Sequence, residues 1–385
     1  MRLMVISHKE CWSSPNSPSG YATVGGFPFQ MEHLSALFDA TTLVLPLQYT
    51  PLPEGATPLI GKNLSVSPLQ RQLGSGLQRR LVSLTLIPRL WQEVRSADAV
   101  HTPIPGDIGT LGLLIALIQR KPLFVRHCGT WGSTSTLANR FLTWLLPRIA
   151  GGRNVVMATG GADTPPCPGN PHVTWIFSTT LTEREINTLP AAKPWRHGMT
   201  LRLITVARLS EAKNVQAAIR ALPLIRQQYP DVHYSIAGDG PYRGALEQLV
   251  ADLGLTSAVT LHGNVPHHEV LRLLAASHIF VFPSVVEEGF PKAVLEALAC
   301  GLPVVATSVS VLPWLIGGHA SGVILSDAEP QTIARAIVQM ISDEQWIAVT
   351  AHKACQAARA YSLEKWRDVI GDRLRSAWGE LSNAG

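Results

Sequence analysis

VVEEGFPKAVLEALACGLPVV, residues 285–305, decides how this chain is read. Glu288 and Glu296 stand with seven residues between them and bracket Gly289-Phe290-Pro291. Proline suits the first turn of a helix, where its missing N–H would have no partner anyway and its fixed φ fits. A helix is therefore predicted to start at Pro291, which leaves Glu288 in the loop before it. The unsatisfied N–H groups from Gly289 to Lys292 point partial positive charge into that loop, an arrangement that favours an anion. Ala293, Val294, Leu295, Ala297, Leu298 and Ala299 are apolar on nearly every side, as in a helix packed on several faces. A carboxylate among them, Glu296, needs a partner: either a ligand hydroxyl or Lys292 four residues back, in the weaker Lys-before-Glu order.

The chain around this stretch is long enough for two domains with full cores. It has 385 residues, and 46% hydrophobic with 15% charged residues is a globular composition rather than a disordered one. The longest apolar helical candidate, Ile108 to Ile118, stops at Gln119-Arg120-Lys121, short of the roughly 20 residues a membrane span needs. The opening MRLMVISHKE is too short an apolar run for a signal peptide and reads as a first strand, so secretion is not expected. Five scattered cysteines show no Cys/His ligand spacing, which fits reduced thiols in a cytoplasm and indicates no metal site. The formal charge of +5 points to anionic partners. The cations form no run and lack interleaved aromatics, which argues against nucleic acid and leaves phosphate-bearing small molecules or an acidic membrane surface.

Read in order, strands at Arg2 to His8, Thr42 to Leu47, Ala99 to Pro103, Leu123 to His127 and Val155 to Ala158 alternate with helical patterns at Phe27 to Phe38, Leu77 to Val94, Ile108 to Ile118 and Leu137 to Leu146. Alternation of this kind gives a parallel sheet covered by helices. Pro/Gly-rich stretches around Pro46 to Pro68 and Thr164 to Pro171 read as loops. Gly25-Gly26 open the first helix, where bare backbone lets a phosphate approach or simply makes a turn. The basic segment 77–95 either lies on an acidic bilayer or packs on the core with a bend at Pro88. His127 ends a strand, the place where open α/β sheets gather ligands.

Ala191 to Met199 reads as a linker, after which the alternation restarts. Strands are expected at Leu201 to Ala207, His233 to Ala237, Val259 to His262, Ile279 to Pro283, Val304 to Ala306 and Gly322 to Leu325, with helices between them. Two further helices run to the C-terminus. The domains are then 1–192 and 199–361, with a last helix, about 362–385, packing back on the first. Arg208 and Lys213 flank a strand-to-helix loop and either grip a diphosphate or serve as surface charges, with Arg208 pairing Glu211.

The ordered set VARLSEAKN (206–214), IAGDGP (236–241), LHGNV (261–265) and FPSVVEEGFPKAVLEALACGLPVVAT (282–307) resembles the C-terminal domain of the retaining family-four glycosyltransferases of GT-B fold. The resemblance is dense over about 201–325; in the first half it rests on Gly25-Gly26 and His127. It implies an α/β chain of two Rossmann-like doubly wound domains facing across a cleft, with a UDP- or GDP-hexose donor between them. Arg208 and Lys213 would clamp the diphosphate, and Glu296 would accept from the ribose. Glu288 would contact the sugar, while Gly289, Phe290 and Pro291 approach sugar and phosphate. Gly238, Gly240, Gly263 and Val265 would border the donor, Gly25 and Gly26 would approach it, and His127 would sit near the sugar. No cofactor and no metal is implied. The acceptor would be a glycan or lipid-linked saccharide in cell-surface glycan assembly, on the cytoplasmic side. A non-catalytic sugar-nucleotide-binding scaffold and a sugar-nucleotide epimerase are the alternative readings of the same residues.

Overall fold

Arg2–Ile6 (β1), with sequence RLMVI, buries every residue after Arg2, as a strand covered on both faces must. In the computed structural model, which describes residues 1–382 except 71–84, 133, 163, 190 and 287–289, β1 lies inside a largely parallel sheet. Cys11–Ser13 (β2), Tyr21–Thr23 (β3), helix Phe27–Ser35 (α1), Ala40–Gln48 (β4), Thr57–Pro58 (β5) and Leu64–Leu69 (β6) follow. Then come Ile87–Ser96 (α2), Ala99–Ile104 (β7), Asp107–Ile118 (α3), Leu123–His127 (β8), Leu137–Ile149 (α4), Asn154–Thr159 (β9) and Val173–Ile176 (β10). The strand order is β10-β9-β8-β7-β1-β4-β2-β3-β5, with β6 beside β4.

The stretch expected to be a loop from Pro46 to Pro68 instead holds the end of β4, all of β5 and most of β6. LSVSPL is short, half-buried and strand-forming only because β4 offers it a parallel edge from Thr41 to Pro46. An edge strand tolerates Pro68, since one of its sides has no ladder to break. In the basic segment 77–95, residues 77–84 lie outside the described residues. Pro88 is in the first turn of α2, so it opens a helix and does not bend one.

The second sheet begins after helix Glu183–Thr188 (α5), whose start is fixed by a reciprocal capping box between Thr182 and Glu185. Its elements are Leu201–Val206 (β11), Val215–Arg226 (α6), Val232–Ala237 (β12), Arg243–Asp252 (α7), Val259–Gly263 (β13), His267–Ala275 (α8), Ile279–Phe282 (β14), Lys292–Ala299 (α9), Val304–Thr307 (β15) and Gly322–Leu325 (β16). All strand pairs are parallel, in the order β13-β12-β11-β14-β15-β16. Strand order therefore reverses between β11 and β14, the switch point of a doubly wound fold. Helix α9 starts one residue later than expected: Pro291 is its extended cap, at φ −78° and ψ 97°.

Three helices, not two, complete the chain: Pro330–Ile341 (α10), Glu344–Arg359 (α11) and Leu363–Trp378 (α12). The additional break is a cap, since the Asp343 carboxylate accepts from the N–H groups of Gln345 and Trp346 and starts α11 afresh. The chain divides into two units, Met1–Thr180 with Leu363–Gly385, and Leu181–Ser362. The boundary lies upstream of the 191–199 segment, because Trp195 is buried in the second unit's core with its ring edge-on to Tyr229. Helix α12 packs on α1, β9 and β10, sinking Trp366, Ile370 and Leu374 into the first unit's core. Among the described residues no helix is long and apolar enough to cross a membrane.

Candidate functional site

Beyond the carboxyl ends of β11, β12 and β13 the second unit encloses a cavity of about 490 Å³, within the range of small-molecule sites. Arg208, Gly238, Asp239, Asn264, Val265 and Ala293 are among its lining residues. It therefore stands beside the switch point. A larger hollow of about 700 Å³ has Glu211 and Glu329 in its wall with Arg220 as the cation, a balance that would repel a diphosphate. The smaller cavity has the better chemistry.

Its shape depends on glycine. Gly238 has φ +132°, and a Cβ there would come within 1.9 Å of the Ala207 carbonyl oxygen; at Gly240 the clash would be with Leu209 O at 2.2 Å. The loops after β11 and β12 interlock at this distance: Leu209 N–H donates to Asp239 O at 2.9 Å, and Tyr242 N–H to Leu209 O at 3.1 Å. Gly238 lines the cavity, whereas Gly240 serves the interlock. Gly263, at φ +70°, accepts from Gly238 N–H at 2.8 Å and delivers Asn264 and Val265 to the wall. Asp239 brings a negative charge, but Gly240 N–H and Arg243 hold its carboxylate at 2.7 and 3.1 Å.

Two cations stand at neighbouring strand ends. Arg208 is exposed two residues past β11 and forms no ion pair with Glu211. Lys213 closes a single 3-10 turn, Glu211–Lys213, with Asn214 in the left-handed region at φ 53° starting α6. Its Nζ lies 5.6 Å from the centroid of Phe282, the last residue of β14, and burial lowers its pKa from the usual lysine value. Sheet order β12-β11-β14 makes these two strand ends adjacent.

Glu296 is 8% exposed, and its carboxylate has a partner that the sequence did not name. His267 Nε2 lies 3.1 Å from Glu296 Oε1. This hydrogen bond raises the imidazole pKa, with burial and Lys292 opposing and Glu185 assisting. Glu296 lies three residues beyond Ala293 on α9, and His267 three before Val270 on α8, so the pair sits one helical turn from two cavity-lining residues. Sequence reading missed His267; its signal was PHHEV directly after the LHGNV turn. Phe290 is buried 5.7 Å from the Tyr361 ring, beside the Pro291 cap. Glu288 and Gly289 lie outside the described residues. The loop before them is anchored, since Val285 N–H donates to Ala212 O at 3.0 Å and Ser284 O accepts from Thr307.

The first unit carries the other expected residues. Gly25 has φ +79° and Gly26 caps α1, with Pro28 in the first turn. A Cβ on Gly25 would lie 3.9 Å from Lys9 Nζ, so a cation that sequence reading left unassigned stands beside the glycine pair. His127 is buried at the end of β8, with Nδ1 3.2 Å from Gly129 O and its ring edge-on to Trp131. Burial lowers its pKa, so the ring is neutral; Nδ1 carries the proton toward Gly129 O, leaving Nε2 as an acceptor.

The profile of the family described as glycosyl transferases group 1 matches residues 192–361. The amylovoran biosynthesis glycosyltransferase AmsK of Erwinia amylovora is 36% identical over 149 residues, 37% of this chain and 37% of that protein. The GDP-mannose-dependent alpha-(1-6)-phosphatidylinositol monomannoside mannosyltransferase of Mycolicibacterium smegmatis is 29% identical over 180 residues, 45% of this chain and 46% of that protein. The chain thus matches less than half the length of either relative. HepE of Anabaena, crystallised with UDP and glucose, superposes with a TM-score of 0.71 at 20% identity, covering 98% of this chain and 100% of that one. That likeness shows the fold of the chain as the two-Rossmann GT-B class, and within it residues 192–361 match the profile of the glycosyl transferases group 1.

Proposed function

We propose that this protein is a retaining glycosyltransferase that moves a hexose from a UDP- or GDP-linked donor to a saccharide or lipid-linked acceptor in cell-surface glycan assembly. The observation that carries the reading is the switch-point cavity, with Arg208 in its wall, Lys213 at the adjoining strand end and Glu296 one turn away. AmsK, a glycosyltransferase of amylovoran biosynthesis, and HepE, with its UDP and glucose, support the reaction class. A departing nucleoside diphosphate gains negative charge, and preorganised cations stabilise it where it develops. Arg208 and Lys213 take that role.

Glu296 accepts from the ribose hydroxyls, while Asn264 and Val265 border the base. Glu288 contacts the transferring sugar, with the amides of Gly289, Phe290 and Pro291 beside it. His127 and the Gly25-Gly26 helix start are the first unit's contributions. His127, neutral and with Nε2 as acceptor, stabilises the transition state rather than acting as an obligatory base. With Glu296 on the ribose, the two acids are not the paired carboxylates of a retaining hydrolase. The leaving phosphate oxygen then takes the acceptor's proton on the same face of the sugar.

A thermal-shift screen over nucleoside diphosphates and their sugars identifies the donor, because a ligand at about 100 times its Kd stabilises by roughly 2.7 kcal/mol. With that donor, Lys213→Ala and Glu288→Ala should each lower kcat by about 10²–10³-fold. Near-wild-type turnover in both variants would sink the assignment.

A further inference from the structure

The outer face of α4 is apolar where a surface helix should be polar. Leu137, Phe141 and Trp144 recur at i, i+4 and i+7 and are 78%, 38% and 52% exposed. The opposite face puts Leu142 and Leu146 into the first unit's core. Single exposed apolar residues are ordinary, but a contiguous stripe along one helix marks a surface that is covered by something. Its geometry is ordered: the Phe141 and Trp144 rings stack with centroids 6.1 Å apart. The Arg148 guanidinium lies 4.7 Å over the Trp144 ring and donates to Trp144 O at 2.6 Å. Arg148 falls on the same stripe, and exposed Arg140 stands beside it.

Charge selects the occupant. Helix α4 contains no acid, and from residue 108 to 182 the sequence has one, Asp163, against six cations: Arg120, Lys121, Arg126, Arg140, Arg148 and Arg153. A second copy of this chain in a two-fold contact would bring the same arginines against each other. Aromatic rings at headgroup depth with guanidinium groups on phosphates are the arrangement an anionic bilayer accepts. We propose that the outer face of α4 docks on an anionic lipid surface, with Leu137, Phe141 and Trp144 entering the boundary between headgroups and acyl chains and Arg140 and Arg148 on lipid phosphates. This does not depend on the donor reading and differs from the segment 77–95 that the sequence singled out.

The test is co-sedimentation of the full chain with phosphatidylcholine vesicles, with and without phosphatidylglycerol. Wild type should bind the anionic vesicles, and added salt should release it. Arg140→Gln with Arg148→Gln should bind about thirtyfold more weakly, from roughly a fivefold loss per arginine. Phe141→Ser with Trp144→Ser should lose binding at any salt concentration. These side chains face water, so the thermal transition should not move; if the serine pair melts early, the arginine pair and the salt titration of wild type decide. Failure of wild type to bind anionic vesicles overturns the proposal, as does binding as tight as wild type by both double variants. Lipid-free dimerisation that Phe141→Ser with Trp144→Ser abolishes would also overturn it, by assigning the face to self-association.

Discussion

Each unit has an arginine near the carboxyl end of a central parallel strand, and the two arginines are used in opposite ways. Arg208, two residues past β11, is exposed and lines a cavity. Arg126, the penultimate residue of β8, is 4% exposed, and its guanidinium lies 5.2 Å over the ring of Trp366 on α12. Its Nε is buried with no hydrogen-bond partner among the described residues. Beside it, His101 is fully buried and stacked 4.3 Å from Phe124. A buried cation costs solvation, and the aromatic face offsets only part of that. Strand-end position therefore does not make an arginine a ligand residue. What decides is whether a helix covers it: α12 returns to cover Arg126, and the second unit leaves Arg208 open.

The largest effect that can break this contrast comes from truncating each arginine in turn. Arg208→Ala should weaken donor turnover by about 10²-fold while leaving the unfolding midpoint in place. Arg126→Ala should do the reverse, costing about 2 kcal/mol because the cavity left in a packed site outweighs the solvation regained, with donor affinity unchanged. Turnover with the identified donor, isothermal titration with its nucleotide and denaturant unfolding of both variants measure the two halves. A loss of donor affinity in Arg126→Ala without a loss of stability would erase the distinction.

The same contrast explains how much of the fold is legible in the sequence. The period of apolar runs marks β1, β7, β8, β14 and β15 most plainly because each is buried on both faces, and burial is what a hydrophobic pattern encodes. β6 left no such mark: LSVSPL is half-buried and exists because β4 presents an edge to it. At the site, Arg208, Gly238 and Val265 were legible through the ordered motifs that carry the family resemblance, and all three line the cavity. His267 was not, since its role depends on α8 and α9 lying side by side, a contact no local spacing reveals. Arg126 was passed over for the same reason, its partner being 240 residues further along the chain.

Acid separates the units next. Burial, then repulsion from Arg126, pushes the His101 pKa down to about 3, against an ordinary 6.5. Between those values the unfolded chain binds a proton that the folded unit refuses, so stability falls as pH falls. The slope approaches about 1.4 kcal/mol per pH unit, or about 2 kcal/mol from about pH 6 to about pH 4. His101→Asn, whose amide can still donate to Phe124 O, should remove that share of the first unit's acid sensitivity. Denaturant unfolding across this range checks it; an unchanged slope would mean the imidazole is not the group responsible.

The smallest effect has the opposite sign. Glu296 raises the His267 pKa above the ordinary 6.5, so the pair's contribution is complete below that value and is lost as pH rises through the folded value. Half of the His267 side chain faces water, which limits the contribution to less than about 1 kcal/mol. His278, pushed to about 4 by burial, makes the second unit acid-sensitive as well, so the measurement must be the difference between His267→Ala and the parent at each pH. That difference should be largest near pH 6 and should vanish in alkali. If ribose hydroxyls donate to Glu296, they draw on the carboxylate that holds His267, and donor binding in the parent should tighten as the imidazole loses its proton. In His267→Ala the pH dependence should flatten. Donor affinity with the same pH profile in both proteins would leave Glu296 as a partner of His267 and remove it from the donor site.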